Sequence, residues 1–182
     1  MKIALLGWGS LIWEPGSLKG HVRGGWKTGG PELPLEFSRK STSRSGALTL
    51  VIDSAYGAKC LTRCITSARR KLDRAIADLE DREGVTSGDS IGFVNLTSSE
   101  SRGGAEETVN AIRSWAEKRN YDAVVWTALQ SNFKNYSVER AVRYLAELPR
   151  EGKVKAKEYI ENAPREVVTP LRKALVDFEW AI

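Results

Sequence analysis

Histidine is almost absent from this chain, and the shortage excludes whole classes of chemistry. His21 is the only one in 182 residues. Zinc sites built from several histidines are ruled out, and a His-based triad would have to use that single imidazole. His21 lies among glycines in KGHVRGG, so a surface histidine in a loop is expected. Long apolar runs are missing too. None approaches the roughly 20 residues of a membrane-spanning helix, and no membrane partner is expected. The apolar start, MKIALLGWGSLIWEPG, is punctuated by Gly and Pro with no small-residue cleavage site after it. It reads as a first core strand and loop, not a signal peptide.

Cysteine is scarce as well. Cys60 and Cys64 stand four apart in AKCLTRCIT, which reads as a strand. Four strand residues span about 13 Å at ~3.3 Å each, whereas a disulfide needs Cα atoms within about 7 Å. Reduced core or edge thiols are expected, which suits a cytoplasmic location. Nor is there a strong excess of one charge. Lys and Arg number 28 against 23 Asp and Glu, for a net charge of +5. The basic residues are scattered, and the densest cluster, Arg69, Arg70 and Lys71, reads as a solvated face where a helix opens. No nucleic-acid motif is visible and nucleic acid is not expected as a partner. Carboxylates, hydroxyls and backbone amides are left to carry any chemistry.

The chain otherwise has the make-up of an ordinary globular domain, with 41% hydrophobic and 28% charged residues. The length suits one well-filled core and is short for two, so residues 1–182 are expected to form a single domain with a helical C-terminal extension. Expected strands are Lys2–Leu6, Leu33–Phe37, Ala47–Asp53, Lys59–Thr66, Ser90–Leu96 and Ala123–Leu129. Residues 14–34, rich in Gly and Pro, read as a long ordered loop, and the SSESRGG stretch at 98–104 as a shorter one. Expected helices are Ala68–Glu83, capped by Ser67 and ended by Gly84, then Ala105–Arg119, Val138–Leu148, Val154–Ala163 and Glu166–Phe178. Strands dominate the first half and helices the second. That order favours an α+β fold, a mixed sheet or small barrel with helices packed outside.

Two segments point to chemistry. GWGSLI follows the first strand and invites a dinucleotide-binding reading, but Ile12 replaces the third glycine, and Pro15 and Gly16 break the helix that must follow. What remains is a tight turn, Gly7 to Leu11. The amides of Gly9, Ser10 and Leu11 can converge on an anion such as a carboxylate, or the turn can serve only to leave the strand. The second segment is ARRKLDRAIADLEDREGV. Leu72, Ile76 and Leu79 recur at helical spacing, and the same stripe continued by four reaches Glu83. Glu80, Asp81 and Arg82 fall elsewhere and can face water. A carboxylate on an apolar face at a helix C-terminus loses solvation and meets the negative end of the dipole, conditions that suit a general acid/base. Alternatively, the last turn frays and Glu83 swings into solvent.

Together these features resemble the γ-glutamylcyclotransferase-like superfamily. Its members carry a Tyr-Gly-Ser-Leu-type turn after the first strand and a Leu-Asp-x-x-Glu-Gly-type stretch before a later one. Here these are Trp8-Gly9-Ser10-Leu11 and Leu79-Glu80-Asp81-Arg82-Glu83-Gly84-Val85, in the family order. The resemblance covers roughly residues 1–96; farther on, EYIENAP is similar to a Tyr-Ile-x-x-Ala element of related bacterial proteins. It implies a small mixed barrel-like sheet flanked by helices. It also implies an activity that cyclises a γ-glutamyl amide to 5-oxoproline and releases an amine, with Glu83 as acid/base. Gly7, Trp8, Gly9, Ser10 and Leu11 would then form the substrate-binding turn, and no metal or cofactor would be required. The family's usual Tyr is Trp8 here, whose indole offers an N–H donor and no hydroxyl.

Other residues remain open. Glu36, in LPLEFSRKS, falls on the strand face opposite Leu35 and Phe37 and is either a second pocket carboxylate or part of a polar face. Arg39, Arg44 and Arg63 are candidates for gripping a substrate carboxylate. Trp8 and Trp13 flank the turn, and at least one is a candidate pocket wall. Trp115, Trp126 and Trp180 read as core. The alternative to an enzyme is a non-catalytic small-molecule or protein-binding module on the same fold. A buried Glu83 opposite open amides favours the enzyme; a filled pocket favours the module.

Overall fold

The computed structural model describes residues 1–85 and 88–180. It contains seven strands: β1 (Ile3–Gly7), β2 (Val22–Lys40), β3 (Leu48–Ile52), β4 (Ala58–Ser67), β5 (Ile91–Asn95), β6 (Ser101–Arg102) and β7 (Ala123–Thr127). Five helices accompany them: α1 (Leu72–Glu83), α2 (Glu106–Lys118), α3 (Val138–Glu147), α4 (Arg150–Asn162) and α5 (Pro170–Ala174). The strands form one mixed sheet in the order β3-β2-β4-β1-β7-β5-β6. β1 is antiparallel to β4 and parallel to β7. All five of its residues are buried, as expected where neighbours cover both faces of a strand. The fold is α+β with helices flanking the sheet. The sheet is open, with β3 and β6 at its ends, so the expected barrel-like closure is not formed.

The chain divides into two compact units. The first comprises Met1–Leu33 and Leu61–Leu129. Its core joins Ile3 and Leu5 of β1 and Val125 of β7 to Ala75 and Leu79 of α1. Leu11 and Leu18 enter the same cluster, so the segment after β1 is anchored on the face that α1 covers. The second unit comprises Pro34–Cys60 and Gln130–Ile182. Leu48 and Val51 of β3, Leu145 of α3, Ile160 of α4 and Leu171 of α5 are buried there, and Phe37 meets Tyr159 edge-on with ring centroids 6.2 Å apart. Ser137 and Thr169 cap α3 and α5, accepting from the amides of Arg140 and Arg172.

Several boundaries differ from expectation, each for a local reason. Residues 14–34 are not one loop: a 3-10 turn spans Gly16–His21, and β2 begins at Val22. Of its glycines, Gly24 and Gly29 take positive φ, and Gly30 marks a close backbone approach. A Cβ at Gly30 would lie 2.8 Å from the Thr62 carbonyl oxygen. α1 starts at Leu72, not Ala68, because β4 persists through Ser67 and the Ala68 amide bonds the His21 carbonyl. The Ser67 hydroxyl accepts from Arg69 and caps no helix. The last helix is only Pro170–Ala174. It begins late because Thr169 caps it with Pro170 in its first turn, and the Leu171 amide goes to Glu36 Oε2 instead of to an upstream carbonyl. SSESRGG holds the short strand β6.

Candidate functional site

Glu83 closes α1. Gly84 follows in the left-handed conformation (φ 64°). Its amide bonds the Asp81 carbonyl, and the Val85 amide bonds that of Glu80, so orphan carbonyls of the last turn are satisfied and the turn does not fray. Glu83 therefore stays one turn beyond the buried Leu79, with its side chain 13% exposed. Two donors reach the same carboxylate oxygen: Arg82 Nη1 at 3.1 Å and the Thr127 hydroxyl, at the end of β7, at 3.3 Å. Among the described residues, no group bonds the other oxygen, Oε2.

Arg82 does not face water. Its side chain is 12% exposed, and Nη2 donates to the Ser10 hydroxyl oxygen at 3.2 Å and to the Glu14 carbonyl at 2.7 Å. A Cβ placed on Gly16 would lie 3.8 Å from Arg82 Cγ, so the aliphatic stem also runs alongside this segment. One guanidinium thus connects Glu83 to the turn after β1. Consecutive helical residues do not share a face, which is why period alone placed Arg82 elsewhere. The Arg-Glu sequence at a helix C-terminus was the available signal, since the last turn is where adjacent side chains can curl around the helix end. Of the arginines considered from sequence, Arg39 donates to the Gln130 carbonyl and Arg44 lies over the Tyr159 ring. Neither belongs to this constellation.

The turn itself is short and well braced. Ile12 N bonds the Gly9 carbonyl and Glu14 N bonds that of Ser10. Trp8 and Leu11 are buried, and the Trp26 ring rests against Gly7. The amides of Gly9, Ser10 and Leu11 lie outside helix and strand. Among the described residues, no acceptor takes them. Because the Ser10 oxygen accepts from Arg82, its own proton points elsewhere, and no described acceptor takes that either. The unit therefore combines a pinned carboxylate with one open oxygen and a turn with four uncommitted donors.

Glu36 is placed differently. It is fully buried in the second unit, where Oε1 accepts from the Phe37 amide at 2.8 Å and Oε2 from the Leu171 amide at 3.2 Å. Burial pushes its carboxyl above the ordinary 4.5, partly opposed by hydrogen bonds from the Phe37 amide, the Thr169 hydroxyl and the Leu171 amide. The Tyr136 hydroxyl faces this carboxylate, but no described acceptor meets it at good hydrogen-bond geometry. Loss of solvent, then the neighbouring charge of Glu36, push the phenol well above its ordinary value. Glu36 is neither part of a solvated strand face nor bonded to any residue that holds Glu83.

The remaining expectations concern isolated residues. Cys60 and Cys64 are free and buried. His21 is partly exposed, with its ring 3.1 Å from Arg69 Nη2. Trp126 is fully buried, and Trp115, partly buried, donates to the Gly29 carbonyl. No helix among the described residues is long and apolar enough to cross a membrane. No family model, curated protein or solved structure matches the chain.

Proposed function

We propose that this chain is a cofactor-independent enzyme that cyclises a γ-glutamyl amide, or a closely related acyl amine, to 5-oxoproline and releases the amine. The observation that carries the reading is the division of labour on Glu83: Oε1 is held by Arg82 and Thr127 while Oε2 has no partner among the described residues. A carboxylate fixed at one oxygen and open at the other is oriented for proton transfer. The amides of Gly9, Ser10 and Leu11 bind the glutamyl carboxylate, and Trp8 and Gly7 shape the turn that presents them.

In the reaction, Glu83 takes a proton from the substrate's α-amino group. The freed nitrogen attacks the γ-carbonyl carbon, forming the ring C–N bond. The carbon–nitrogen bond to the leaving amine then breaks, and Glu83 returns the proton to that nitrogen. Atoms and charge balance with no oxidant, metal or added water. Intramolecular attack needs little beyond orientation, since positioning alone supplies a large part of such a barrier. The free thiols Cys60 and Cys64 fit a cytoplasmic setting, which we include in the proposal.

The test is 5-oxoproline release from a panel of γ-glutamyl amines and peptides, comparing wild type with Glu83→Gln. A general acid/base contributes roughly 10²- to 10⁴-fold, and the variant is expected to lose that much. Equal release by both proteins removes Glu83 from the mechanism. A folded wild type silent across the panel overturns the reaction and leaves the turn as a binding site.

A further inference from the structure

Resting on that reading, the geometry points to Arg82 as the positioning residue of the site. It is a brace that holds the turn after β1 and the carboxylate of Glu83 in one fixed arrangement. The argument starts from donor arithmetic. A guanidinium offers five N–H groups in a rigid plane. Here one goes to Glu83 Oε1, one to the Ser10 hydroxyl and one to the Glu14 carbonyl. The three acceptors come from a helix end, a turn and the chain just beyond it, and no other described side chain bonds more than one of them. An arginine that served only to neutralise Glu83 would not need the other two acceptors. One that served only to tie down the loop would not need Glu83.

The brace has two chemical effects. On the helix side it commits Oε1, so that Oε2 is the oxygen left to exchange a proton with substrate. On the turn side it donates to Ser10, which fixes that hydroxyl as an outward donor and holds Gly9 to Leu11 in place without occupying their amides. Lysine cannot substitute for it, because an ammonium is a point charge on a flexible stem and does not reach three acceptors in the same fixed plane.

The experiment compares wild type, Arg82→Gln, Arg82→Lys and Ser10→Ala by two readouts, exchange of the hydrogen-bonded turn amides of Ile12 and Glu14 and the kinetics of 5-oxoproline release. A charge-assisted bond contributes enough that its loss corresponds to about tenfold or more. Arg82→Gln is expected to raise exchange in the turn and lower kcat by at least that factor. Arg82→Lys is expected to recover only part of each. Ser10→Ala, the mildest change, removes the turn-side acceptor and is expected to raise exchange there while α1 keeps its protection. Unchanged exchange in both Arg82→Gln and Ser10→Ala overturns the brace. Full recovery of protection and kcat by lysine also overturns it, because charge alone would then suffice. If wild type releases no 5-oxoproline, the reaction proposal fails while the exchange data still decide the brace.

Discussion

Gly7→Ala is the sharpest physical test of how the turn is supported. Gly7 ends β1 in an extended conformation, so alanine meets no backbone strain there. The obstacle is space. A Cβ at this position would lie 2.7 Å from both Cζ3 and Cη2 of Trp26 and 3.3 Å from Ile12 Cγ1. The aromatic plane cannot flex, so the ring must tilt or the strand must shift. Overpacking of this kind costs about 1–3 kcal/mol. Restricting the unfolded chain by replacing glycine offsets about 0.4–1 kcal/mol of that. The expected net loss is about 1–2 kcal/mol, close to the difference of those ranges. For a chain of this length each kcal/mol lowers Tm by about 2–4 °C, so a drop of roughly 2–8 °C is expected in calorimetry or near-UV circular dichroism. The clash has a named partner, and the cost should shrink when Trp26 is first replaced by leucine, with a coupling of about 0.5–3 kcal/mol. An alanine variant as stable as wild type, or a penalty that is the same with and without Trp26, would refute the packing argument.

Other expectations are more local. Thr127→Val removes one of the two donors to Glu83 Oε1; a hydrogen bond to a carboxylate corresponds to about a tenfold or larger fall in kcat, read in the 5-oxoproline assay, and an unchanged rate would remove Thr127 from the site. Glu36 titrates above its ordinary value of 4.5 when folded, so the folded chain binds its proton more tightly than the unfolded one. Its contribution to stability is complete below 4.5 and declines as pH rises through the raised value; urea unfolding from pH 4 to 8 should show this slope in wild type and a flatter profile in Glu36→Gln. Cys60 and Cys64 are buried and their pKa values are raised, chiefly by desolvation. Both thiols should resist an aromatic disulfide reagent until urea unfolds the chain; rapid labelling of the native protein would contradict their burial.

The sequence made α1 and its ending legible because two independent signals coincide there. An apolar stripe carries through Leu79 to Glu83, and Gly84 marks the stop. β1 was equally clear as an unbroken apolar run. β2 was largely hidden because Gly24, Gly25, Gly29 and Gly30 look like loop residues, whereas the need at Gly30 is for close backbone approach to Thr62. That requirement exists only once the strands are paired. The length of α5 was overestimated for a related reason, since only the fold reveals that the Leu171 amide is taken by the buried Glu36 carboxylate. In the candidate site, Glu83 and the turn were visible from pattern, while Arg82 was assigned to solvent because the helical period governs Cβ directions and not the reach of a long side chain around a helix end. For Glu36 the alternation along a strand leaves a pocket carboxylate and a polar face open, and cannot show an interior in which neighbours cover both faces.

The adjacency of Arg82 and Glu83 has a mechanical consequence. Cation and carboxylate ride on the same terminal turn, so a small slide or tilt of α1 moves them together and leaves their separation intact. The links to Ser10, Glu14 and Thr127 belong to other parts of the chain and would be stretched by the same motion. Such a displacement would therefore disengage the site as a unit, like a plug carrying both of its prongs, and would expose no lone charge on the way.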